Sequence, residues 1–228
     1  MTDHKRSNVI FCTPTLDGRV STDFMVSALQ TQWLLIERGI PHSYLQVVGD
    51  CFVAKARNRL VSEFLQRPEA TDLFFLDDDI HWPPAKVIEF LQRPEDVLAG
   101  IYPRKDDHLQ FPVVLEQDPV RRQPFERDGL VRALRVPTGF LRIKRHVLEK
   151  LAAEAQIYQD RRPDGSVSEH YNIFEARIND DGLWCTEDYM FSEKWLAMGG
   201  EIWVDPNIAF RHRGTKSWSG NLSEALPI

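Results

Sequence analysis

Between Val9 and Ile101 the sequence alternates four short apolar runs with three segments of helical periodicity. Residues 9–13, 44–48, 72–76 and 97–101 each run into turn or breaker residues and predict strands. Across residues 22–38, Met25, Ala28, Leu29, Trp33 and Ile36 recur at three- and four-residue spacing on one helix face, with Gly39 as stop signal and Pro41 beyond. Residues 54–66 turn Leu60, Val61, Phe64 and Leu65 inward, and Pro83-Pro84 open a third helix carrying Val87, Ile88 and Leu91. Parallel strands need a crossover of a dozen or more residues, usually a helix. Strict alternation therefore predicts a parallel α/β sheet.

The pattern changes after residue 105. Residues 111–115, 130–136 and 140–143 predict shorter strands, more α+β than α/β. A helix follows through Val147, Leu148, Leu151, Ala152 and Ala155. Residues 159–170 are polar, contain Pro163 and Asp164-Gly165, and predict an exposed loop. Thr186 predicts an N-cap for a helix running to Met198 and stopped by Gly199-Gly200. Late strands are expected at 202–204 and 207–210, with the tail from His212 as loop. A chain of 228 residues without repeats suits one large domain.

Charge narrows the partners. Twenty-eight basic against 34 acidic residues leave −6, which argues against a surface that grips polyanions as a whole. The acidity is uneven: from Arg121 to Lys150 nine Lys/Arg face three acids, a local +6. Cys12, Cys51 and Cys185 have no paired spacing and read as reduced thiols. No apolar run approaches the roughly 18 residues of a membrane span. Residues 1–8 are charged ahead of a short apolar run and do not read as a signal peptide. A soluble, cytoplasmic chain with no membrane association is expected.

The segment Leu73-Phe74-Phe75-Leu76-Asp77-Asp78-Asp79 delivers three carboxylates to the carboxyl end of a buried strand. In open parallel sheets ligands bind outside those ends. An Asp-x-Asp spacing turns two carboxylates to one side, and a hard divalent cation such as Mn²⁺ or Mg²⁺ relieves their repulsion. A solvated acidic turn is the bland alternative, and the cluster alone also suits a metal-dependent phosphohydrolase or nuclease.

Further segments follow in order: Ala56-Arg57-Asn58 upstream, then Gly100-Ile101-Tyr102-Pro103-Arg104-Lys105, Thr138-Gly139-Phe140, Glu187-Asp188, and His212-x-Gly214. With Asp77-Asp78-Asp79-Ile80 as a DxD motif, the set resembles GT-A-type nucleotide-sugar glycosyltransferases. It is similar to small phage and bacterial members related to the Anp1-like (mannan polymerase) group and to family 2-like enzymes. The resemblance runs from about Val9 to Gly220. It implies a GT-A fold, a Rossmann-like α/β/α sandwich with a mostly parallel central sheet and a smaller antiparallel element in the C-terminal half. Residues 8–105 would bind nucleotide sugar; residues 106–220 would bind acceptor and carry the metal-ligand loop.

The resemblance implies a role for each matching residue. Asp77, Asp79 and His212 would hold Mn²⁺ or Mg²⁺ on the donor diphosphate. Thr13, Pro14, Arg57, Asp78, Arg104, Lys105 and Lys216 would border the base or phosphates, with Asp50 as a more remote candidate. Asp188, beside Glu187, would deprotonate the acceptor hydroxyl, although both acids also suit a helix N-terminus for its dipole alone. Thr138, Gly139, Trp184 and Trp218 would face sugar or acceptor, although core packing is the commoner fate of Trp. The expected donor is a UDP-sugar or GDP-mannose; a glycan, a protein or modified DNA remain open as acceptor. A non-catalytic nucleotide-sugar-binding module is the competing class.

Overall fold

The computed structural model describes residues 7–161, 164–179 and 181–226. The first half forms β1 (Val9–Thr15), α1 (Thr22–Glu37), β2 (His42–Val48), α2 (Val53–Leu65), β3 (Asp72–Leu76), a short β4 (Ile80–His81), α3 (Pro84–Gln92) and β5 (Val97–Gly100). The second half adds β6 (Val114–Leu115), β7 (Glu126–Arg127), β8 (Leu130–Arg135), β9 (Phe140–Lys144), α4 (Arg145–Glu154), β10 (Ile157–Arg161) and β11 (Val167–Tyr171). It ends with β12 (Arg177–Ile178), β13 (Trp184–Cys185), α5 (Glu187–Ala197), β14 (Ile202–Asp205), β15 (Phe210–Arg213) and β16 (Ser217–Gly220).

The central sheet runs β2-β1-β3-β9-β5-β14-β8-β6, with β7 on β8. Its pairings β1–β2, β1–β3 and β5–β14 are parallel, while β9 and β8 oppose their neighbours. The mostly parallel α/β architecture of a Rossmann-like GT-A sandwich is thus present. Side chains alternate across the strands. Ile10, Leu73, Phe75, Val97 and Leu141 point to one face, where α2, α4 and α5 contribute Phe64, Leu148 and Phe191. Val9, Phe11, Phe74, Leu98 and Phe140 point to the other, where α1 and α3 contribute Phe24, Leu35, Val87 and Phe90. Among the described residues no helix is long and apolar enough to cross a membrane.

Five local expectations need correction. The apolar row of α1 is not its buried face: Phe24, Ser27, Thr31 and Leu35 are buried, and Met25, Leu29, Trp33 and Ile36 are exposed. Ser27 and Thr31 face inward because Trp82 satisfies them; Trp82 Nε1 donates to Thr31 Oγ1 at 3.0 Å, and Ser27 Oγ donates to the Trp82 carbonyl at 3.0 Å. Residues 159–161 and 167–170 of the expected loop instead belong to the hairpin β10–β11, whose strands pair with each other outside the central sheet; Pro163 lies outside the described residues. The strand expected at 207–210 begins only at Phe210, Asn207 being taken up in a turn closed by Asp205 Oδ1. His212 therefore sits on strand rather than in loop, because β15 pairs with both β16 and β4. At 111–115 only Val114 and Leu115 reach strand pairing.

Candidate functional site

The carboxyl ends of β1 and β3 and the start of α2 surround a cavity of about 300 Å³, closed on one side by His212 of β15. Pro14, Thr15, Asp50, Arg57, Asp77, Asp78, Asp79, Tyr102 and His212 are among the residues that line it. A larger cavity of about 660 Å³ lies between α2 and β11, with Glu63, Arg67 and Glu169 in its wall. It holds none of the residues singled out above, so chemistry rather than size selects the smaller one.

Asp77 is held from three sides. Its Oδ1 accepts from both terminal nitrogens of Arg57 at 3.2 Å, its Oδ2 accepts from the Tyr102 hydroxyl at 3.3 Å, and its amide donates to the Gly139 carbonyl at 2.9 Å. The Gly139 amide in turn donates to the Tyr102 hydroxyl at 3.2 Å. A Cβ on Gly139 would lie 2.5 Å from both Asp77 Oδ2 and the Tyr102 oxygen, so only glycine permits this approach.

Arg57 is buried, lies over the Phe75 ring, and reaches past Asp77 to place Nε 3.5 Å from Glu187 Oε1. It thus bridges the acids at the end of β3 to the acids at the start of α5. Burial raises the Glu187 carboxyl above its ordinary range, with the Asp188 charge adding to it and Arg57 opposing. Asp188 Oδ1 accepts from the Thr186 hydroxyl and from the Tyr189 amide at 2.8 Å. Thr186 occupies the N-cap position but spends its hydroxyl on Asp188, not on a backbone amide.

Asp79 meets different partners. Its Oδ2 accepts from Lys105 Nζ at 2.5 Å, and its Oδ1 lies 3.4 Å from His212 Nε2. Burial works against ionisation here, yet His212 and Lys105 outweigh it and hold the carboxyl below its usual range. His212 Nδ1 is 2.8 Å from the Pro103 carbonyl, which can only accept, so Nδ1 carries the proton. Replacement of the Nε2 proton by a cation would turn Asp79 and His212 into a carboxylate and an imidazole ligand for the same ion. Asp78 faces the Thr15 side, and burial together with neighbouring carboxylates raises its carboxyl.

The expected site residues therefore separate into groups. Pro14, Arg57, Asp77, Asp78, Asp79 and His212 share the cavity, with Lys105 at its edge through Asp79. The Asp77 oxygens accept from Arg57 and Tyr102, whereas Asp79 and His212 face each other. Among the described residues no three His, Cys, Asp or Glu side chains converge as a metal-binding group. Thr13 is buried in β1, and Thr138 is buried with Oγ1 lacking a protein partner. Lys216 and Trp218 turn to Asp107, and Arg104 turns toward Tyr189. Trp184 stands exposed on β13, two residues before Thr186.

Part of the basic stretch is already engaged. Arg132, Arg135 and Lys144 each pair with an acid, and Arg142 is fully buried 3.7 Å from Asp72. Tyr102, Leu16, Cys51 and Val53 line the cavity without having been singled out. For Tyr102 the available signal was its place just beyond the end of β5.

No family model matches the chain, and no curated protein matches it. Among solved structures it is similar to A197 from STIV, at 18% identity and a TM-score of 0.58, over 95% of this chain and 91% of that one. A glycosyltransferase involved in the glycosylation of the major capsid of PBCV-1 overlaps at 10% identity and a TM-score of 0.34, over 63% and 62% of the two chains. That second overlap is too slight to bear weight. The first extends over nearly the whole of both chains, and this protein shares the fold of A197.

Proposed function

We propose that this chain transfers a sugar from a nucleoside-diphosphate sugar to an acceptor hydroxyl. One observation carries the reading: a cavity at the carboxyl ends of the strands has a wall of Asp77, Asp78, Asp79 and His212, and Arg57 ties that wall to Glu187 beside Asp188. A donor's base would lie toward Pro14, Thr15 and Asp50, and its diphosphate toward Asp79, His212 and Lys105.

Asp79 and His212 fit Mn²⁺ or Mg²⁺: a carboxylate oxygen and an imidazole nitrogen lie 3.4 Å apart, the cation would replace the Nε2 proton, and such ions complete their shell from phosphate oxygens and water. Bound there, the cation would supply Lewis-acid stabilisation of charge on the departing diphosphate. Lys105, now on Asp79, is placed to carry its charge onto the same phosphates. Asp77 acts indirectly, by fixing Arg57 and Tyr102.

Asp188 serves as base through Oδ2, since Oδ1 is engaged by Thr186 and Tyr189. The acceptor hydroxyl gives its proton to that oxygen as it bonds to the anomeric carbon. The bond from that carbon to the diphosphate breaks, and its electron pair leaves with the diphosphate. Trp184, exposed close by, offers an indole face to an acceptor sugar.

The test is release of nucleoside diphosphate from a panel of UDP-, GDP- and dTDP-sugars with Mn²⁺ and candidate glycan, protein and modified-DNA acceptors. Asp188→Asn should lower transfer by about 10²–10⁴-fold while leaving donor binding intact. Full transfer by that variant would remove Asp188 as base, and binding of donors without turnover would reduce the chain to a binding module.

A further inference from the structure

We infer that α1 is the self-association face of this protein, pairing antiparallel with α1 of a second copy across a two-fold axis. The inference stands apart from the sugar-transfer reading. Most surface helices turn apolar side chains inward, whereas α1 buries Ser27 and Thr31 and exposes its apolar row. Val26, Leu29, Trp33 and Ile36 are 44%, 58%, 62% and 63% exposed. Their spacing of three, four and three residues is that of a coiled-coil seam over two heptads.

Area and charge decide the occupant. These four with Met25 and Val20 present on the order of 600 Å² of apolar surface, at the top of what monomers show and within the roughly 600–1,000 Å² that each partner of a standard interface buries. A lipid surface is the weaker occupant, because α1 contains no Lys or Arg and carries Asp23 and Glu37. A second copy fits better. Antiparallel pairing sets Leu29 against Trp33 and Val26 against Ile36 of the other copy, twice over by symmetry.

Sedimentation velocity on the full chain, from low to high micromolar concentration, tests this. The wild type should approach twice the 26.4 kDa monomer mass. Leu29→Glu should weaken association by at least about 30-fold, the scale of a central interface residue, with unchanged circular dichroism. Trp33→Glu, on the same exposed row, should weaken it likewise. A wild type that stays at the monomer mass, or that is monomeric and sediments with anionic phosphatidylserine vesicles, overturns the inference. So does a Leu29→Glu or Trp33→Glu protein that still self-associates.

Discussion

Replacing Gly139 by Ala asks whether the Asp77–Tyr102–Gly139 contact is as close and as rigid as it stands. The added methyl carbon would meet Asp77 Oδ2 and the Tyr102 oxygen at 2.5 Å and the Tyr102 ring at 2.7 Å, all well inside van der Waals contact. Neither side can retreat freely. The Gly139 carbonyl holds the Asp77 amide, its own amide holds Tyr102, and Tyr102 packs edge-on against His212 at 4.9 Å. Overpacking of this kind costs about 1–3 kcal/mol. At about 2–4 °C per kcal/mol for a chain of this size, the thermal midpoint should fall by roughly 3–10 °C. Donor binding should weaken with it, because Asp77 cannot move without Arg57. Tyr102→Phe alone should cost about 1–3 kcal/mol by leaving a buried amide without its acceptor. In the double variant part of the clash disappears, so the combined loss should fall short of the sum by about 1 kcal/mol. A midpoint for Gly139→Ala within a degree of wild type, or strict additivity in the cycle, would refute the reasoning.

Three further outcomes are expected. Glu187 has a folded pKa raised above its ordinary 4.5, so the folded chain holds that proton more tightly and loses stability as pH rises through the folded value. Glu187→Gln should therefore match wild type below about pH 4 and exceed it at neutral pH in urea unfolding; a constant difference at all pH values would contradict the sign. Native protein should show one fast-reacting thiol, Cys51, while buried Cys12, its thiol pushed well above the ordinary range, and buried Cys185 react only on unfolding. Because Cys51 lines the cavity, a bound nucleoside diphosphate should slow its labelling, and no protection would move the donor elsewhere. Mn²⁺ at about 100 times its Kd should add about 2.7 kcal/mol and raise the midpoint by roughly 5–10 °C. Asp79→Ala and His212→Ala should abolish that shift; its survival in both would place the ion at another site.

What the sequence made legible follows what is local. Buried strands β1, β3 and β5 are apolar runs with breakers at their ends, and their positions could be read to within two residues. The burial of α1 could not, because the residues that satisfy it, Trp82 above all, lie more than 50 positions away. β10 and β11 escaped because a two-stranded ribbon with few buried side chains leaves no clear apolar alternation to detect. In the site, the acids of Asp77–Asp79 stood out by type and spacing, while Arg57, Glu187 and His212 were marked through the family resemblance. Which acid faces which partner depends on strand register and on a glycine contact across the sheet, and neither leaves a trace in residue order.

The position of β9 bears on how such a chain comes to be folded at all. It lies between β3 and β5 and hydrogen-bonds to both, while β14 flanks β5 on the other side. Sixty-odd residues after β3 emerges from the ribosome, it still lacks the neighbour that completes its ladder. The nucleotide-side segment therefore has no finished sheet of its own, and a polypeptide ending near residue 105 would leave one edge of β3 and both edges of β5 unpaired. Such non-local pairing slows folding and lengthens exposure to aggregation. Limited proteolysis aimed at a stable N-terminal fragment should yield none, and chaperone demand during synthesis should persist until β14 has been made.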